Sequence, residues 1–141
     1  MAKHIKEHLS ASFSYLSLTN STPHGTWTPN TDIYETADSL VIKMEMAGVE
    51  KSDLEITLHE RLLIVSGHRK DACRQRRCSF RQVEIDYGSF ERHIVIPRTV
   101  DGNKAKARFR NGFLRIELPK AEHSEHTTVT VAIEPSEPHH A

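Results

Sequence analysis

A chain of 141 residues with 37% apolar and 27% charged residues is one domain's worth, enough for a single modest core with polar ends. Its formal net charge is zero, which leaves no electrostatic footprint for nucleic acid or an anionic membrane and removes one defence against self-association. No apolar run reaches the ~18 residues of a membrane span, and residues 1–18 lack the continuous apolar stretch of a secretory signal, so a cytoplasmic location is expected.

Ile5, Leu9, Phe13 and Leu16 recur at helical spacing, with Lys3, Lys6 and Glu7 elsewhere around the wheel, which predicts a short amphipathic helix. Alone in water such a helix is marginal and needs a surface to lie on. Residues 20–29, NSTPHGTWTP, are a breaker-rich linker. From Trp27 onward the pattern is that of strands. Residues 32–35 are a short extended piece. Over 39–46, Leu40, Ile42, Met44 and Met46 alternate with Val41, Lys43 and Glu45. After a turn at Ala47-Gly48-Val49, Leu54, Ile56 and Leu58 alternate with Glu55 and Thr57. Residues 62–65 are a denser apolar run, as expected of a strand buried on both faces.

Residues 67–88 are charged, and their clear strand-like piece is 80–86. A loop this long in a compact domain is functional or disordered. Phe90, Ile94 and Ile96 then share one face of a strand, with Arg92 among them, up to Pro97. In 104–120, Ala105, Ala107 and Phe109 precede Asn111-Gly112, and Leu114, Ile116 and Leu118 follow it. Asn-Gly between two alternating runs predicts a hairpin closed by a type I′ turn, whose central residues both need φ > 0. Pro119 ends the second strand. Past Lys120 the chain is polar, except for TTVTVAI at 127–133, where Val129, Val131 and Ile133 alternate: a short sticky strand on a flexible tether. Short strands punctuated by regular turn signals predict an all-β fold, an antiparallel β-sandwich, with the six glycines all serving as turn punctuation.

Ala107-x-x-x-Asn111-Gly112-x-Leu114 resembles the A-x-x-x-N-G-x-L signature of the α-crystallin domain, the core of small heat-shock proteins. Further blocks resemble that family in its order: Ala47-Gly48-Val49, Lys51-x-Asp53-Leu54, Leu63-x-Val65-x-Gly67-x-Arg69, Gly88-x-Phe90-x-Arg92-x-x-x-Ile96-Pro97 and Val100-Asp101. Departures are His68 where an acidic residue is usual, Arg74 to Cys78 in place of an acid-rich loop, and a short arm. The resemblance implies an immunoglobulin-like sandwich, the α-crystallin domain, over 27–121, with a short helical arm at 1–26 and an extended tail at 122–141 carrying a V-x-I motif. It implies an ATP-independent chaperone that holds unfolding proteins, stored as a homo-oligomer of strand-exchanged dimers of the bacterial and plant branch. Its partners would be copies of itself and non-native client proteins, with no cofactor, metal, nucleic acid or membrane.

Within that picture Val131 and Ile133 would enter a groove on a neighbouring subunit lined by Leu54, Ile56, Leu58, Ala105, Ala107 and Phe109; the alternative is a last strand folded back on its own domain. Phe80, Arg81, Val83 and Ile85 would form an edge strand exchanged into the partner's sheet, or else a surface loop. Leu9, Phe13, Tyr15, Leu16, Leu18 and Trp27 would bind clients, or glue the oligomer. Cys73 and Cys78 are too few for a disulfide scaffold and wrongly spaced for a zinc knuckle. They read as incidental loop thiols, although neighbouring arginines favour the reactive thiolate. His59, His68 and His93 lie on strands and can change charge near pH 6.5, whereas His123 and His126 read as solvated tail. There is no G-x-S-x-G elbow, phosphate-cradling glycine loop or His-Glu-x-x-His run, so no enzyme is expected. A reading from another class is an adaptor resembling the CS-domain co-chaperones, binding one folded partner and staying monomeric.

Overall fold

The computed structural model describes residues 27–71, 73, 78–123 and 126–135. The expected arm helix, with Leu9, Phe13, Tyr15, Leu16 and Leu18, lies outside the described residues. Among the described residues eight strands follow one another: β1 (Thr31–Glu35), β2 (Ser39–Glu45), β3 (Glu55–His59), β4 (Leu62–Arg69), β5 (Gly88–Val95), β6 (Lys106–Arg110), β7 (Phe113–Pro119) and β8 (Thr128–Thr130). They make two four-stranded sheets, ordered β1-β2-β7-β6 and β5-β4-β3-β8, with antiparallel pairing throughout. The predicted sandwich is therefore the fold.

Period-two alternation decides which side of each strand meets the core. In β2, Leu40, Ile42 and Met44 stand opposite Leu118, Ile116 and Leu114 of β7, and all six are buried. The facing sheet contributes Ile56, Leu58, Leu63, Val65, Phe90 and Ile94 to the same cluster. Each such side chain stabilises the fold by roughly 1.5–3 kcal/mol relative to its exposed state. The β6–β7 hairpin closes over two residues, with Arg110 paired to Phe113. Asn111 has φ 51° and Gly112 φ 79°, as a type I′ turn requires.

Two expectations are corrected here. Residues 62–65 are not buried on both faces: Leu63 and Val65 are inside, while Leu62 and Ile64 are only half-covered. The strand also runs on to Arg69, paired with β5 along its whole length. That extension depends on Gly67, which is not a turn residue. It sits in mid-strand opposite Phe90, where an added Cβ would lie 2.8 Å from two carbons of the Phe90 ring. Only a residue without a side chain lets that ring come so close to the backbone.

Candidate functional site

The edges of the sandwich that remain open at β3 and β6 are joined by the tail. β8 adds to β3 in register, pairing Thr128, Val129 and Thr130 with His59, Leu58 and Thr57. The Val131 N–H then donates to the Ile56 carbonyl at 2.9 Å. Two residues later the chain has crossed to the other sheet. Ile133 bridges Ala107 in parallel, and the Glu134 N–H donates to the Ala107 carbonyl at 2.8 Å. One short segment thus pairs with both sheets.

Side chains fill the seam. Val131 is 5% exposed and belongs to the core cluster, while Ile133 is half-buried against it. Ala107 is wholly buried, and its small side chain is what allows Ile133 to approach β6. Of the predicted groove, Ile56, Leu58 and Ala107 carry the backbone partners of the tail, while Leu54, Ala105 and Phe109 pack half-buried against the same cluster. Tail and groove here belong to the same chain.

Sequence reasoning missed the polar lock at the end of the motif. Lys51 Nζ donates to the Glu134 carbonyl at 2.6 Å, and Arg108 Nε donates to Glu134 Oε2 at 2.6 Å. The hydrogen bond from Arg108 holds the Glu134 carboxyl below its ordinary value, helped by the charges of Arg108 and Lys106. The available signal was an acid directly after V-x-I together with Arg108 on the outward side of β6. At the other end of the tail, the His59 ring shares a hydrogen bond with the Thr128 hydroxyl, and His126 lies 3.1 Å from Glu60.

The second predicted site, 80–86, forms no strand within this chain. Phe80, Val83 and Ile85 are 51%, 61% and 60% exposed, and Arg81 is exposed beside them. Both ends of the connection are fixed at one point. Arg69, the last residue of β4, donates from Nε to the Asp86 carbonyl at 2.8 Å and from Nη1 to the Ala47 carbonyl at 3.1 Å. Its guanidinium stacks 3.8 Å over the Trp27 ring and 5.6 Å from that of Tyr87. Trp27, grouped with the arm in the sequence, is half-buried in the domain. Its indole N–H donates to the Gly88 carbonyl at 2.8 Å, and its ring meets Phe90 edge-on at 5.0 Å. Much of its apolar surface is therefore already engaged by β5, because a buried indole needs both a packing face and an acceptor.

Among the described residues no helix is long and apolar enough to cross a membrane.

Comparison with known proteins agrees with this architecture. The model of the Hsp20/alpha crystallin family matches residues 32–134, a span that includes Val131 and Ile133. Small heat shock protein C2 of Rickettsia felis is 30% identical over 103 residues, covering 73% of this chain and 67% of that one. Heat shock protein 16 of Schizosaccharomyces pombe is 33% identical over 116 residues, covering 79% and 80%. Among solved structures, heat shock protein 16.0 from Schizosaccharomyces pombe superposes with a TM-score of 0.65 at 31% identity, over 72% of this chain and 94% of that chain. A small heat-shock protein from Xylella fastidiosa, described as having a distinct high order structure, gives 0.64 at 28% identity, over 71% and 92%.

Proposed function

This chain belongs to the Hsp20/alpha crystallin family, and on that premise we propose that it is an ATP-independent holdase that binds unfolding proteins and is stored as a homo-oligomer of strand-exchanged dimers. The observation that carries the reading is a segment with three large apolar side chains, Phe80, Val83 and Ile85, each more than half exposed on a connection whose two ends are fixed at Arg69. Such a segment is completed by a second copy adding it to a sheet edge, which gives a two-fold dimer with reciprocal contacts. The tail supplies the second contact. Docked on its own groove here, it would in the oligomer fill the same groove of a neighbour, since the pairing partners are identical in either case.

Burying Val131 and Ile133 yields roughly 3–6 kcal/mol gross. Ordering a tethered peptide offsets much of that, so one tail holds weakly and an assembly holds through many linked tails. Heat shifts the population toward smaller species with open grooves. The arm residues Leu9, Phe13, Tyr15, Leu16 and Leu18 supply apolar surface of no fixed shape for clients, while Trp27 anchors the arm to the domain. The site of action in this reading is the cytoplasm, and no cofactor is required.

The test is light scattering from a heat-labile enzyme warmed with this protein and no nucleotide. Suppression at stoichiometric amounts is expected; none at all would overturn the reading. Native mass with and without residues 127–141 tests the tail, and an unchanged mass would remove it from assembly. The tail's docking on its own domain favours a second reading, a monomeric adaptor for one folded partner. A single monomeric species in size-exclusion chromatography at high micromolar concentration would select it.

A further inference from the structure

Cys73 and Cys78 are the two cysteines of the chain, and both are exposed. They lie on the connection from β4 to residues 80–86. Their sulfurs are 2.8 Å apart, and the Cys78 thiol also donates to the Cys73 carbonyl at 2.8 Å. The Cys73 N–H donates to Asp71 Oδ1 at 2.9 Å. A disulfide needs about 2.05 Å between sulfurs and Cα atoms roughly 5.5–6 Å apart, which two thiols in contact reach by small rotations. The geometry therefore presents a reactive pair where the sequence alone offers only two unassigned thiols.

We propose that Cys73 and Cys78 are a peroxide-responsive dithiol that closes an intrachain disulfide and shortens the tether of residues 80–86. One thiolate attacks a peroxide oxygen, the O–O bond breaks, and a sulfenic acid forms as hydroxide leaves. The second thiolate attacks that sulfur and expels a second hydroxide. The two thiol protons convert both hydroxides to water. Two thiols and one hydrogen peroxide thus give one disulfide and two waters, the sulfurs being oxidised and the peroxide reduced. The hydrogen bond with Cys73 pushes the Cys78 thiol above its ordinary value, so closure speeds up as the pH rises into the thiol range.

The consequence for the tether is one of reach. The five residue steps from Cys73 to Cys78 extend to about 17 Å when open. A disulfide holds the same two Cα atoms about 6 Å apart, so the oxidised tether gives up as much as about 11 Å of the extension open to the reduced one. A segment that must leave this chain to pair with another then moves across more slowly.

The experiment treats the reduced full chain briefly with hydrogen peroxide and measures intact mass after alkylation. Loss of two hydrogens, no alkyl label and a monomeric band on a non-reducing gel are expected. Cys73→Ser and Cys78→Ser should instead gain oxygen at the remaining sulfur or link chain to chain. Two alkylated cysteines, paired sulfinic acids, or interchain links in the unmodified sequence would overturn the proposal. Mixing of differently labelled subunits should slow several-fold on oxidation and recover with dithiothreitol, with no peroxide effect in Cys73→Ser. A closed disulfide with unchanged mixing would overturn the tether coupling. That arm rests on the strand-exchange reading, whose own failure shows separately: reduced protein carrying Val83→Asp and Ile85→Asp would then keep its dimeric mass.

Discussion

Replacing Val131 by alanine removes two methyl groups from a side chain that is 5% exposed and packed in the seam between the sheets. At about 0.8 kcal/mol per buried carbon, with a small further term for the void, docking of the tail weakens by about 2 kcal/mol. That is roughly a thirtyfold rise in the undocked fraction. Amide hydrogen exchange reads it directly, because the Val131 N–H is closed on Ile56 and the Glu134 N–H on Ala107 only while the tail is docked. Those two amides should exchange about thirty times faster in Val131→Ala, by the same conversion. Amides between β2 and β7, strands with which the tail makes no backbone pairing, should keep their protection. Equal exchange of the tail amides in the two proteins would refute the seam as the tail's holding site. A uniform rise across β2 and β7 would mean that the substitution loosens the whole sandwich and not one segment.

Glu134→Gln should accelerate exchange at the same two amides, and added salt should have the same effect on the unsubstituted chain but little on the variant. The docked carboxyl titrates below its ordinary value, chiefly through Arg108. Its contribution is therefore complete above the undocked pKa of about 4.3 and disappears as pH falls through the lower, docked value; an acid-side titration followed by exchange checks the sign. Gly67→Ala places a carbon 2.8 Å from the Phe90 ring and should destabilise the fold by about 1–3 kcal/mol, with partial recovery of the melting temperature in Gly67→Ala/Phe90→Leu. Val83→Asp with Ile85→Asp should abolish the dimer in size-exclusion chromatography and leave the melting temperature of the domain nearly unchanged, because both side chains are 60% exposed or more.

The features legible in the sequence were those whose physical cause lies within a few residues. Asn111-Gly112 announces its turn because two successive positive φ angles suit few other pairs, and the strands beside it show their inward faces by alternation alone. Gly67 was misread as punctuation because its reason, the ring of Phe90, lies on the next strand. Trp27 was read among the client-binding residues, and its contacts within the domain were not legible, because its acceptor on Gly88 and the guanidinium of Arg69 are distant in the chain. Glu134 looked like one more acid in a polar tail until Arg108 and Lys51 stood beside it. The groove residues were named through family resemblance and alternation along β3 and β6, whereas the docking of the tail on its own chain stood only as the alternative. The apolar pattern of 80–86 was visible, but a pattern names no partner.

Because the same few residues tie β3 to β6, each departure of the tail uncovers one vacant slot and liberates one strand able to fill it. Donors and acceptors are thus created in equal number, whatever the size of the assembly. If tails pass between chains as proposed above, a population of them would reshuffle its connections without accumulating empty slots. Surplus vacancies arise only when tails are clipped or captured elsewhere, and their number then counts the tails lost.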